Sequence, residues 1–332
     1  MKILIIQTAF IGDVVLATPL IEKLAAKNSG CTIDFLLRKG NEGLLHRHPH
    51  LRRVLVLDKS NKYKELVRLI REIRSQSYDC VINIQRFFST GLLTVLSGGK
   101  TTIGFNKNPL SILFTRRHRH QISEDENVHE VERNILLLSG LTDLDFQPPK
   151  LYCSPQDEAV VPQDCEYICV APRSRWFTKQ FPFDKWCKLI NELPKRYKVY
   201  LIGSPQDVLY CEKIRAATDE ERVVVSAGQL SLLESVALIK GAQLTFTNDS
   251  APLHFASAVN APVIGIFCST VPEFGFGPLS DGSTVVETKL ALDCRPCGLH
   301  GKKACPKKHF RCSDIQIDDI LSTAHERYGI FA

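Results

Sequence analysis

Gly12 and Asp13, in "FIGDVV", stand where the apolar run Ile3-Leu4-Ile5-Ile6 gives way to a helical pattern. A carboxylate at the carboxyl end of a strand can take the proton from a hydroxyl nucleophile as a general base. It can also cap the helix, and the local sequence taken alone favours the cap. In the second half of the chain, "TNDSAPLHFASA" sets Asn248, Asp249 and Ser250 ahead of a helix with Pro252 in its first turn. Backbone N–H groups at such a start bind phosphate or ribose, unless this is an ordinary capped helix with a surface histidine at His254. "APRSRWFTKQFP" offers Ser174, Thr178 and Lys179 to a diphosphate, with Lys179 as a point charge; a solvated lysine is the plainer alternative. "LIGSPQD" puts Asp207 at another strand end, where a carboxylate commonly meets ribose hydroxyls.

Two further clusters invite a chemical reading. Cys294, Cys297, Cys305 and Cys312 form C-x2-C-x7-C-x6-C, with His300 and His309 close by. Four thiolates can build a structural zinc site. The irregular spacing and the surrounding Lys302, Lys303, Lys307 and Lys308 argue against one, so no metal is expected. "RRHRH", residues 116–120, is a basic cluster that by itself reads as a solvated loop. Neither GxGxxG nor GxxxxGK[ST] occurs at a strand–helix junction, and no cofactor is expected.

These residues need elements that carry them to one place. Strand-like runs at 2–7, 32–37, 53–57, 80–84 and 101–104 alternate with helical patterns at 13–27 and 62–76. The alternation breaks over 144–163, which holds Pro148, Pro149, Pro155 and Pro162. It resumes with strands at 167–171, 198–202, 222–225, 243–247 and 262–267 and helices at 183–193, 206–217, 232–240, 252–259 and 315–328. Near-continuous apolar strands separated by helices imply parallel sheets covered on both faces. The expected fold class is therefore α/β, two Rossmann-like doubly wound domains, 1–150 and 151–332, facing a cleft lined by strand carboxyl ends. His254 would face that cleft.

The bulk properties agree with a soluble protein of two domains: 332 residues, 44% hydrophobic and 23% charged. No apolar run approaches membrane-spanning length and the N-terminus lacks a signal-peptide core, which places the protein in the cytoplasm with its twelve cysteines as free thiols. The net charge of +6 is uneven: residues 1–150 hold 22 Lys and Arg against 15 Asp and Glu, and the remainder 20 against 21. An anionic membrane surface or a phosphorylated substrate answers to such an excess; nucleic acid is disfavoured because no RNP-like aromatic motif accompanies it. Arg38, Lys39, Arg116, Arg117 and Arg119, each after or between strands, are with Gly12 the candidate contacts to such a partner.

Taken together, "IGDVVLATP", "SRWFTKQFP", "GSPQD", "TNDSAPLHFASA" and "CRPCGLHGKKACP" resemble, in this order, the bacterial heptosyltransferases of lipopolysaccharide inner-core synthesis, glycosyltransferase family 9. The resemblance leans to the heptosyltransferase II type. It implies the GT-B fold, with an acceptor-binding N-terminal domain and an ADP-sugar donor in the C-terminal one. It further implies inverting transfer from ADP-heptose to a phosphorylated lipid A–Kdo acceptor at the cytoplasmic face of the inner membrane. By motif position Asp13 falls on the proposed base, Ser174, Lys179, Asp207, Asp249, Ser250, Ala251 and His254 on donor contacts, and Leu230 beside the adenine. The sequence departs from the family pattern at Ala251, usually glycine, at Phe181, usually tryptophan, and at Gln7, lysine in some relatives. A GT-B transferase using another nucleotide sugar, or an inactive ADP-binding module, is the alternative.

Overall fold

Parallel strands that are buried on both faces leave their ends as the natural place for a site, and this chain builds two such sheets. The computed structural model describes residues 1–27, 30–123, 127–219 and 221–331. One compact unit comprises Met1–Ser123 and Val128–Tyr152. Its strands are β1 (Lys2–Ile6), β2 (Thr32–Arg38), β3 (Leu51–Leu57), β4 (Cys80–Asn83), β5 (Thr101–Phe105) and β6 (Arg116–His118), in the order β3-β2-β1-β4-β5-β6. Helices α1 (Ile11–Val15), α2 (Thr18–Lys27), α3 (Lys62–Ser75), α4 (Phe88–Val95) and α5 (Glu130–Ile135) accompany them. The order reverses between β1 and β4, so the loops that follow these two strands diverge and leave a crevice at their carboxyl ends.

The second unit, from Cys153 onward, opens with α6 (Pro155–Glu158) inside the proline-rich stretch that reads as linker. Ser154 and Asp157 cap it reciprocally: the Ser154 N–H donates to the Asp157 carboxylate at 2.8 Å and the Asp157 N–H to Ser154 Oγ at 3.3 Å. Strands β7 (Tyr167–Ala171), β8 (Lys198–Leu201), β9 (Val223–Val225), β10 (Leu244–Asn248), β11 (Val263–Phe267) and β12 (Ser283–Glu287) follow. Their order is β12-β11-β10-β7-β8-β9, with the reversal between β7 and β10. The helices are α7 (Phe183–Glu192), α8 (Val208–Ala216), α9 (Leu232–Gly241), α10 (Ala251–Ala258) and α11 (Ile317–Tyr328). Strands β4, β7, β10 and β11 are buried at every position, which is why they read as unbroken apolar runs. No helix among the described residues is long and apolar enough to cross a membrane.

Two sequence expectations are corrected. The single helix over 13–27 is two, because Pro19 has no N–H for the Val15 carbonyl; the Thr18 hydroxyl donates to that carbonyl instead, at 2.7 Å, and the helix restarts. The basic run 116–120 is not merely a loop: Arg116–His118 forms edge strand β6. Its register is set where the N–H groups of Thr102 and Thr115 each donate to the other's hydroxyl at 3.0 Å. Strand β12 and helices α4 and α5 had no expectation at all.

The turn after β5 is tied to the loop after β4 by one side chain. Asn108 donates to the carbonyls of Gln85 at 2.8 Å and Phe87 at 3.0 Å, and accepts from the Leu110 N–H at 3.0 Å. Gly91 of α4 makes room for it, since a Cβ there would lie 2.3 Å from Asn108 Oδ1. Gly91→Ala should therefore cost about 1–3 kcal/mol of stability by overpacking, read as a lower urea midpoint with unchanged m-value.

Candidate active site

In the first unit the crevice beside β1 is closed at its base by Gln7 and Gln85, whose side chains hydrogen-bond across the reversal point. Asp13 lies in the first turns of α1 and its carboxylate accepts the Phe10 N–H at 3.1 Å, so the capping role is realised. That bond is not the whole environment. Burial, and after it the negative charge of Glu130, push the Asp13 carboxyl up to about 6, while the Phe10 N–H and Lys107 pull the other way. A carboxyl so placed exchanges its proton near neutral pH, as a base requires.

Glu130, at the start of α5, was not singled out from the sequence. It is buried, and its carboxylate accepts from His120 at 3.1 Å and from Arg133 Nε at 2.8 Å. Burial opposes its charge, but His120, Lys107 and Arg133 outweigh that and bring it down to about 2. Lys107 sits over the Phe105 ring at 4.8 Å and His120 packs on the same ring edge-on at 4.6 Å. Burial lowers Lys107 to about 8 against the pull of Glu130 and Asp13. The Glu130–Arg133 spacing of three in "EVER" was the available signal for this cluster, a pair that meets only on a helix.

The expected cationic residues are distributed unevenly. Arg38, the last residue of β2, lies over the Phe10 ring at 5.2 Å, so it shares a neighbourhood with Gly12 and Asp13. Lys39 is ion-paired with Asp58 at 2.7 Å. Arg116 donates to the Ser139 carbonyl at 3.2 Å, while Arg117 and Arg119 are exposed on and after the edge strand, three strands from β1.

In the second unit, Ser174, Lys179 and Asp249 converge across the reversal between β7 and β10. Lys179 is not a solvated lysine: it is largely buried and ion-paired with Asp249. Thr270 Oγ1 also donates to the Asp249 carboxylate at 2.6 Å, and Ser174 Oγ to the Asp249 carbonyl at 3.3 Å. Burial works against the Asp249 charge, but Lys179 and then Thr270 and His254 hold the carboxyl below its ordinary range. Ser250 is the N-cap of α10, with Ala251 and Pro252 following. His254 is buried within that helix, not presented at its surface.

Asp207 accepts the N–H and hydroxyl of Ser204 at 2.9 and 2.6 Å, which makes it a cap, and Arg173 approaches it at 3.5 Å. Leu230 lies half-buried in the turn after β9. That turn comes against the loop after β8 through left-handed Gly228, where a Cβ would lie 2.9 Å from the Pro205 Cα.

The cysteine-bearing loop proves to be a buttress for this site. The Thr178 N–H donates to the Lys302 carbonyl at 3.1 Å and the Lys302 N–H to Thr178 Oγ1 at 2.8 Å. Ser269 Oγ donates to Thr178 Oγ1 at 2.9 Å, and the Cys297 N–H to the Ser269 carbonyl at 2.8 Å. Arg295 donates to the carbonyls of Cys268 and Thr270 at 2.8 and 2.9 Å. Thr178, Ser269, Thr270 and Arg295 thus fix Lys179 and Asp249 from behind. Cys294, Cys297, Cys305 and Cys312 are free thiols, and among the described residues no group of three or more His, Cys, Asp or Glu is arranged to hold a metal ion.

Two doubly wound parallel-sheet units, each with its polar side chains at a reversal of strand order, define the GT-B class of fold. The solved structure of the Escherichia coli ADP-heptose lipopolysaccharide heptosyltransferase II superposes with a TM-score of 0.81 at 23% identity, covering 98% of both chains. The family model of glycosyltransferase family 9 (heptosyltransferase) matches residues 66–308, and the chain belongs to that family; it is a glycosyltransferase. Among curated relatives, lipopolysaccharide heptosyltransferase 3 of Escherichia coli is 28% identical over 79% of this chain and 82% of its own. Lipooligosaccharide heptosyltransferase 2 of Haemophilus influenzae is 27% identical over 86% and 88%. The similarity does not single out the type II enzymes.

The sign of the Asp13 shift makes a testable statement. A raised folded-state value means that folding favours the protonated carboxyl, so this contribution is full below the ordinary 3.8 and is lost as pH rises through about 6. Asp13→Asn mimics the protonated group. Its melting temperature should exceed the parent's above pH 7, and the difference should vanish towards pH 4 in a series of thermal melts.

Proposed function

We propose that the protein transfers heptose from ADP-L-glycero-D-manno-heptose to a phosphorylated Kdo- or heptosyl-lipid A acceptor of the lipopolysaccharide inner core, with inversion. The observation that carries this reading is the Asp13 carboxyl, set at the reversal point of the first sheet and raised towards neutral pH. The names of the relatives, which are lipopolysaccharide heptosyltransferases, support the substrate class.

Inverting transfer is a single displacement. The acceptor hydroxyl forms its bond to the anomeric carbon and gives up its proton as the bond to the diphosphate breaks. It therefore needs a base at the hydroxyl and positive potential where charge develops on the leaving group. The first unit provides Asp13, with Gly12 permitting close approach. The second provides Lys179, whose ammonium has three donors and gives only one to Asp249. The start of α10 at Ser250 and Ala251 adds backbone N–H groups at the positive end of the helix. Ser174 and His254 complete the diphosphate pocket, Asp207 and Leu230 the ribose and adenine side. Arg38, Arg117 and Arg119 draw an anionic acceptor; Lys39 and Arg116 already have partners. The enzyme works against the cytoplasmic face of the inner membrane as a peripheral protein.

Asp13→Ala should reduce turnover about 10²- to 10⁴-fold in an ADP-release assay with donor and acceptor, and leave ADP affinity unchanged by calorimetric titration. Lys179→Ala should weaken ADP binding by roughly tenfold or more, the loss of one charge-assisted contact. Unchanged turnover in the first variant reduces Asp13 to a cap, and unchanged ADP affinity in the second removes Lys179 from the donor site.

A further inference from the structure

Helix α4 reads "FSTGLLTV" and is followed by Leu96; only part of this apolar content faces inward. Thr90, Gly91, Leu93 and Thr94 are buried. The opposite face carries Phe88, Leu92 and Leu96 at helical spacing, with Phe88 58% and Leu96 37% exposed. The turn after β5 lies against this helix, because Gly91 lets Leu110 approach to where a Cβ would be 3.1 Å away. That turn adds Ile112 and Leu113, 75% and 60% exposed, while the next residue, Phe114, turns into the fold. Four exposed large apolar side chains, with half-buried Leu92 between Phe88 and Leu96, thus stand on two adjoining segments. Grouped exposure of this kind marks an interaction surface, whereas scattered exposed leucines do not.

Basic residues stand at its border. From Cys80 to Ser123 the chain has six lysines and arginines and not one aspartate or glutamate. At the N-terminal end of α4, Arg86 and Lys59 flank the exposed Phe87 ring at 5.7 and 5.9 Å. At the other end, Arg74 donates to the Leu96 carbonyl at 3.4 Å. An apolar face between cations, with aromatic rings at its border, matches the layered chemistry of a bilayer surface: acyl chains within, anionic headgroups at the rim. A second copy of this chain would bring the same positive charge against itself.

We propose that the outer face of α4 and the adjoining Ile112–Leu113 turn dock the protein on an anionic lipid surface. This deepens the reading above, in that it gives the acceptor half a surface from which a lipid-borne acceptor is reached.

The experiment is co-sedimentation of the full chain with vesicles free of any glycolipid acceptor, so that its result does not depend on the transferase reading. Phosphatidylethanolamine–phosphatidylglycerol vesicles are compared with phosphatidylcholine vesicles. The parent should pellet with the anionic vesicles, less so at high salt, and weakly with phosphatidylcholine. Ile112→Ser/Leu113→Ser should lower the partition by roughly tenfold or more, given the apolar area withheld. Phe88→Ser should lower it too, and both variants should keep the parent's circular dichroism and ADP affinity. A parent that stays in the supernatant overturns the proposal, as do variants that pellet like the parent. It is also overturned if the variants change only the sedimentation coefficient of the protein alone, since the face is then a contact between copies. Failure of heptose transfer in the Asp13 assay, with vesicle binding intact, would instead count against the transferase reading.

Discussion

The constraint on which everything else depends is the reversal of strand order in each parallel sheet. A sheet buried on both faces accepts a charged side chain along its length only when it is paired, as Asp34 of β2 is with Arg52 and Arg53, so most charge is driven to the strand ends. Where two neighbouring strands send their connections to opposite faces, the loops part and the ends stay open. Asp13, Gln7 and Gln85 occupy that place beside β1 and β4; Ser174, Lys179 and Asp249 occupy it beside β7 and β10. Helix starts, caps and clasps then only refine a position that topology has already chosen.

The two key aspartates illustrate how opposite outcomes follow when desolvation meets different neighbours. Asp13 meets a second carboxylate, Glu130, whose own partners keep it ionised, and its proton affinity rises. Asp249 meets an ammonium and a hydroxyl, and its proton affinity falls. One is thereby suited to taking up a proton near neutral pH. The other keeps a fixed negative charge that holds a lysine in place. Glu130 thus matters to Asp13 without being bonded to it, through the field it maintains in a poorly solvated pocket.

Much of this was legible in the sequence because period and punctuation carry it. The buried strands read as apolar runs, and "FIGDVV" and "TNDSAPLHFASA" announce strand ends through glycine, capping residues and proline. What could not be read was anything set by distant partners. Lys179 looks like a solvated lysine until Asp249, seventy residues on, is placed beside it. The split of the first helix was available in principle, since Pro19 was visible, but it took the Thr18 hydroxyl to show how the chain accommodates it. Strand β12 escaped notice because its partly exposed "STVVE" pattern lacks the apolar run of its neighbours.

The clasp between Thr178 and Lys302 has a consequence for how the polypeptide emerges from the ribosome. All six strands of the first sheet have been made once His118 is synthesised. The loop bearing Lys179, by contrast, is secured by backbone groups 124 positions later. Its second tie, through Ser269 to the Cys297 N–H, is almost as late. Vectorial synthesis therefore supplies one sheet with all its strands early, while the loop bearing Lys179 stays unclosed until Lys302 has been made.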